Sequence, residues 1–163
     1  MSLASVVFYT EAHRITGNVF LRERLNEALN DPLTDFLELN DVRISKLVDP
    51  TRAEVQWPNT VIPKNEILIA TLDSHEHESQ STRVDKVTHK EGQQIGCIVG
   101  TIELYGTGHI RFTSSAREVL MNQLPSFFPV TGATLLFPAA SDSRLDTNLA
   151  LANRSAVNAF ALL

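Results

Sequence analysis

Short alternating runs of apolar residues dominate the chain. The run "SVVFYTEA" is rich in β-branched and aromatic residues and predicts a strand. "HRITGNVFL" follows with Ile15, Gly17, Val19 and Leu21 in alternation. It predicts a second strand, in which Gly17 marks a bend or bulge. The period then changes. In "RERLNEALND", Leu25, Ala28 and Leu29 fall at helical spacing among good helix formers, and Pro32 ends the helix. Strand period returns in "TDFLELNDVRI", with Phe36, Leu39, Val42 and Ile44 as inward candidates and "LNDV" as a turn or sharp bend. "AEVQW" predicts a strand closed by Trp57 and Pro58. "VIPKNEILIA" predicts a strand, a tight turn with Pro63 and Asn65 as turn residues, and another short strand.

The pattern then repeats. "DSHEHESQS" has no large apolar residue and no period, so it is expected to be a linker, with "TRVDKVTHKEG" a polar strand opening a second unit. "ITGNVFL" corresponds to "IVGTIEL", matching Gly17 with Gly100. "LNEALNDPLTDFLELNDVRI" corresponds to "REVLMNQLPSFFPVTGATL", and "VIPKNEI" to "LANRSAV". "YGTGHIRF" is expected to add a longer hairpin built on Gly106 and Gly108. Ser114 or Ser115 is expected to cap the start of the second helix, with Glu118 three residues after Ser115 as in a capping box. The chain therefore reads as a tandem duplication: residues 1–72, a polar linker at 73–81, and residues 82–163. Each unit carries about five short strands and one short helix. A sheet of that size curls to bury its apolar face, so the expected class is mainly β, with two tandem small barrels of Sm-like or SH3-like type.

Bulk properties narrow the functional classes. The length of 163 residues fits two small domains, and 43% hydrophobic with 20% charged residues fits a folded globular chain. The net charge is −5 with only 14 Lys and Arg, which argues against a general nucleic-acid-binding surface. The single cysteine, Cys97, lies in the apolar run "IGCIVG" and is expected to be a small buried hydrophobe. Neither a signal peptide nor a transmembrane helix is expected, which makes the cytoplasm the default compartment.

Two resemblances cover these motifs. "RITGNVFL", "RLNEALN" and "FLELNDVRI", with "GTIEL", "AREVLMNQLPSFFPVTGATL" and "LANRSAV" in the second copy, resemble an uncharacterised bacterial tandem-repeat family of unknown function. That likeness spans nearly the whole chain and implies no activity. Each repeat also resembles an Sm-like small barrel. "NEALN" and "EVLMN" are similar to the turn of the first Sm motif, and "IPKNEI" and "ANRSAV" to the second motif, with Lys64 and Arg154 at its basic position. The departures are chemical. Ala28 and Leu120 stand where a base-stacking aromatic belongs, and Asn65 and Ser155 replace the glycine. The resemblance implies barrel topology more directly than an RNA site.

The candidate ligand- or RNA-binding residues are therefore Asn30, Lys64, Asn122 and Arg154, which could line a polar rim. The bland reading makes the asparagines helix caps and the two cations turn residues. Trp57 is the candidate interface anchor, with core packing as its alternative. "HEHE", His75 to Glu78, has only His89 nearby as a further ligand and reads as solvated linker rather than metal site. "YGTGHI" lacks the third glycine of a dinucleotide loop, and no nucleophile elbow or catalytic constellation is present. No enzyme, cofactor or metal is expected. The reading is a binding or assembly module that associates with itself or another protein. Its rivals are RNA or nucleotide binding at the turn residues and small-molecule sensing between the barrels.

Overall fold

A computed structural model describes residues 1–48, 54–72, 91–111 and 115–163, and in them the alternating runs become ten antiparallel strands. The first half contains β1 (Ser2–Tyr9), β2 (His13–Leu21), α1 (Leu25–Asn30), β3 (Phe36–Lys46), β4 (Val55–Pro63) and β5 (Ile69–Leu72). The second contains β6 (Glu91–Val99), β7 (Ile102–Ile110), α2 (Ala116–Glu118), β8 (Phe127–Phe137), β9 (Ser143–Asn153) and β10 (Val157–Leu162). A π-turn at Val119–Gln123 continues α2, and 3-10 turns at Lys64–Glu66 and Arg154–Ala156 lead into β5 and β10. Ser115 caps α2 by accepting a hydrogen bond from the Glu118 N–H at 3.2 Å.

The strands form one continuous sheet in the order β10-β6-β7-β8-β9-β5-β1-β2-β3-β4. The mainly β expectation holds. Among the described residues, no ladder closes either half on itself, so the sheet is open. Each half has the same internal order, with its fifth strand beside its first and its fourth at the far side. The halves are joined where β9, the fourth strand of the second half, pairs with β5, the fifth of the first. Ile69, Ala70 and Thr71 face Ala152, Leu151 and Ala150. The proposed linker at 73–81 lies outside the described residues, as does most of "TRVDKVTHKEG".

The register of the duplication differs from the sequence expectation. Val6 of β1 pairs with Gly17, and Ile95 of β6 pairs with Gly106. Gly17 therefore corresponds to Gly106, and "YGTGHI" belongs to the second strand of its half rather than to an added hairpin. Both glycines sit at a register shift in the ladder to the following strand. Opposite them the backbone turns left-handed, at Asp41 (φ 52°) and Gly132 (φ 54°). The bulge explains the glycines. A Cβ on Gly17 would lie 2.9 Å from Leu39 Cδ2, and one on Gly106 would lie 2.7 Å from Val130 Cγ1. Gly100, the expected match, turns the β6–β7 hairpin at φ 59°. "AEVQW" and "VIP" merge into the single strand β4, which carries Trp57 and Pro58 inside it rather than at its end.

The central strands explain the non-alternating runs "VVFY", "ILIA" and "LALA". Side chains on successive residues of a strand point to opposite faces, and here each face meets a different core. Val7, Tyr9 and Ile69 join the second half's cluster with Ala150 and Ala152. Val6, Phe8, Ala70, Leu149 and Leu151 join the first half's cluster, as does Phe127. Strands buried on both faces read as continuous apolar runs. Each core is completed by residues of the other half, so the joint belongs to the folded state. Among the described residues, no helix is long and apolar enough to cross a membrane.

Candidate binding surfaces

Three features of the fold can bind something: a polar recess beside the joint, a cleft between the halves, and the two open edges. The recess, of about 540 Å³, brings Asn30 and Lys64 together with Asn153 and Ser155. Neither Asn122 nor Arg154 lines it.

Asn30 ends α1 and imitates a peptide unit. Its Nδ2 donates to the Asn26 and Phe127 carbonyls at 2.8 and 2.9 Å, while its Oδ1 accepts from the Phe127 N–H at 2.8 Å. Two of these three bonds cross to the other half. The Lys64 side chain is buried, and its Nζ donates to the Asp31 carbonyl at 3.0 Å and to Thr34 Oγ1 at 2.7 Å. Burial lowers its pKa from the ordinary value, against the opposing pull of Asp31 and Asp35. Arg154 occupies the matching turn and donates from a guanidinium nitrogen to the Leu124 carbonyl at 2.6 Å. Asn122 is exposed, with its Nδ2 on Glu118 Oε2 at 2.8 Å. In Asn30, Lys64 and Arg154 these polar atoms bond to the protein's own backbone.

Sequence reasoning missed Asn153. It is buried, its Nδ2 donates to the Ile67 carbonyl at 2.9 Å, and its backbone N–H donates to the Leu68 carbonyl at 2.9 Å, both across the joint. Its Oδ1 also accepts from the Ser155 N–H and hydroxyl. A polar residue directly after "LALA", at the mouth of a turn, is the signal that could have found it.

The cleft has a volume of about 980 Å³. Its apolar lining includes Val7, Tyr9, Leu72 and Phe137, and Arg14, Lys46, Glu54 and Asp146 supply charge around it. Tyr9 and Phe137 pack as a tilted pair with ring centroids 5.1 Å apart. Thr134 and Arg144 hold the Asp146 carboxyl below its ordinary pKa by hydrogen bonding.

Among the described residues the open edges are β4 and β10. Phe36, Val55, Trp57 and Val61 leave a substantial apolar surface exposed along β4 and its neighbour β3. Trp57, the chain's only tryptophan, is 49% exposed and faces Val42 of β3. Cys97 is buried on β6, with its thiol pKa pushed up to about 12 by desolvation, so it is a poor nucleophile. Among the described residues no cluster of three or more His, Cys, Asp or Glu side chains could hold a metal. His75 to Glu78 and His89 lie outside the described residues.

The fold and these surfaces define a mainly β protein whose two halves share one sheet, its two ends open among the described residues. No family model, curated protein or solved structure matches the chain.

Proposed function

We propose that the protein is a non-enzymatic assembly module of the cytoplasm, built from two Sm-like small-barrel units and associating with protein partners through its open strand edges. The observation that carries this reading is the apolar β4 edge. A strand edge with unpaired backbone groups is a template for further pairing, and exposed Trp and Phe side chains beside it are the residue types that anchor protein contacts. Light scattering over a concentration series, with nucleic-acid absorbance recorded on the same peak, tests it. A stable oligomer free of nucleic acid is expected. Emission from Trp57 should shift to the blue as association removes it from water. A monomer at all concentrations would sink edge-paired assembly as the main role.

A second reading has its own observation. The cleft is of the size that encloses small organic ligands, and its apolar walls with a few charged groups fit that use. A ligand bound there would raise the melting temperature in a metabolite panel. Nucleic-acid binding through Asn30, Lys64, Asn122 and Arg154 has less support, because three of the four already bond backbone groups and the net charge is −5. Salt-dependent RNA binding, weakened by Lys64→Ala with Arg154→Ala, would bring it forward.

A further inference from the structure

Resting on the assembly reading, we infer that the partner at the open edges is a second copy of this chain. It docks head to tail, with β4 of one copy on β10 of the next in the register of the internal β9–β5 joint.

The duplication carries the argument. The Lys64 and Arg154 turns superpose the halves, since their N–H groups donate to the equivalent Asp35 and Ser126 carbonyls, both at 2.8 Å. β4 is then the counterpart of β9, and β10 of β5. The internal joint uses β9 and β5, and the sheet ends on β4 and β10. The strand types that fasten the halves together are therefore the same two types that stand open. One copy presents one of each.

Burial follows the same correspondence. Leu151 is 1% exposed in the joint, and its counterpart Val61 is 55% exposed. Phe127 is 3% exposed against α1, and its counterpart Phe36 is 48% exposed. On the other edge, the buried Ile69, Ala70 and Thr71 correspond to the more accessible Ala159, Phe160 and Ala161. Transferring the register pairs Ile62 with Ala159, Val61 with Phe160 and Thr60 with Ala161. Val61 would then enter the second half's core beside Phe160, which already packs edge-on against Phe128 with centroids 6.5 Å apart.

The prolines fix where pairing can occur. Pro58 and Pro63 bracket Asn59 to Ile62, and a proline cannot donate to a ladder. Pro63 stands where Asn153 supplies two bonds across the internal joint, so the joint between copies lacks both. It is weaker than the internal one and reversible. Because the two edges differ, the contact is heterologous, and repeating it gives a ring or an open chain of copies.

The test uses two variants of the full chain, Thr60→Cys and Ala161→Cys, oxidised separately and after mixing. Directly opposed antiparallel positions lie about 4.5–5.5 Å apart at Cα, within disulfide reach. A short bismaleimide bridges the pair if the direct bond forms slowly. Cross-linked dimer is expected on mixing and not from either variant alone. Cross-linking of Thr60→Cys alone would show two-fold β4–β4 pairing and overturn the head-to-tail joint while leaving assembly intact. Light scattering that shows an oligomer, with no cross-link from the mixture, would overturn the register and again leave assembly standing. A monomer throughout would remove both.

Discussion

β9 and β4 are the same strand of the two halves, with opposite surroundings. β9 lies inside the sheet, and its Leu149 and Leu151 complete the core of the other half. β4 lies at the end, with Trp57 and Val61 exposed. Both derive from one pattern, so the difference teaches what the joint does. It converts an aggregation-prone edge into core and leaves one unsatisfied copy of that edge per chain. The largest test of this contrast is a matched truncation. Leu151→Ala removes buried methyl groups from the joint and is expected to cost about 3 kcal/mol of stability. Val61→Ala, at the equivalent position, is expected to stay within about 0.5 kcal/mol in dilute solution, as exposed substitutions do. Urea unfolding at low protein concentration measures both. Equal costs would mean that the joint contributes nothing beyond an ordinary edge.

The helix ends offer the next contrast. Asn30 satisfies both backbone groups of Phe127 across the joint. Asn30→Ala strands them, and an unsatisfied buried polar group costs roughly 1–3 kcal/mol. Asn122 is exposed, and its Nδ2 donates to Glu118 at the surface, so Asn122→Ala should change stability by less than about 0.5 kcal/mol. The same unfolding measurement would erase the distinction if the two values agreed.

Much of this was legible in the residues. Alternation located the strands, the period change located the helices, and the repeated "PKNE" and "NRSA" turns located the duplication. "LNDV" announced the left-handed bend at Asp41. The register was misread because "ITG" and "IVG" look alike as letters. The structure matches glycines by the bulge they permit, which pairs Gly17 with Gly106. The joint left a trace in "VVFY", "ILIA" and "LALA", whose lack of alternation records burial on both faces. Which strand meets which half is a long-range fact, and no local pattern encodes it. The site residues were picked for side-chain chemistry, and three of the four turned out to bond the backbone. Hydrogen-bonding side chains at turns have that use as readily as a ligand.

The prolines allow the contrast between edges to be sharpened. Pro63 has φ −61° and ψ 133°, close to the φ −75° and ψ 109° of Asn153. An asparagine therefore fits at 63 without strain, and Pro63→Asn gives the open edge the donors that the internal joint uses. Each new hydrogen bond contributes about 0.5–1.5 kcal/mol net, so the two together should tighten self-association by roughly fivefold to a hundredfold. Sedimentation or light scattering over a dilution series reads this directly. Unchanged affinity would show that the edge near residue 63 is not in the contact between copies.

The smallest contrast is between the two turn cations. Lys64 and Arg154 both reach backbone carbonyls near the end of their half's helix, but only lysine titrates in an accessible range. Burial disfavours the Lys64 ammonium and lowers its pKa below 10.5, while Asp31 and Asp35 oppose that shift. In the pH window just below 10.5 the unfolded chain therefore holds more of this proton than the native one, and stability from this site rises with pH. Lys64→Arg installs the second half's residue and removes the titration. The urea midpoint of the wild type should gain on that of K64R as pH climbs toward 10.5. A difference that stays constant with pH would mean that the two carboxylates balance burial at Lys64, and that both turns hold their cations on equal terms.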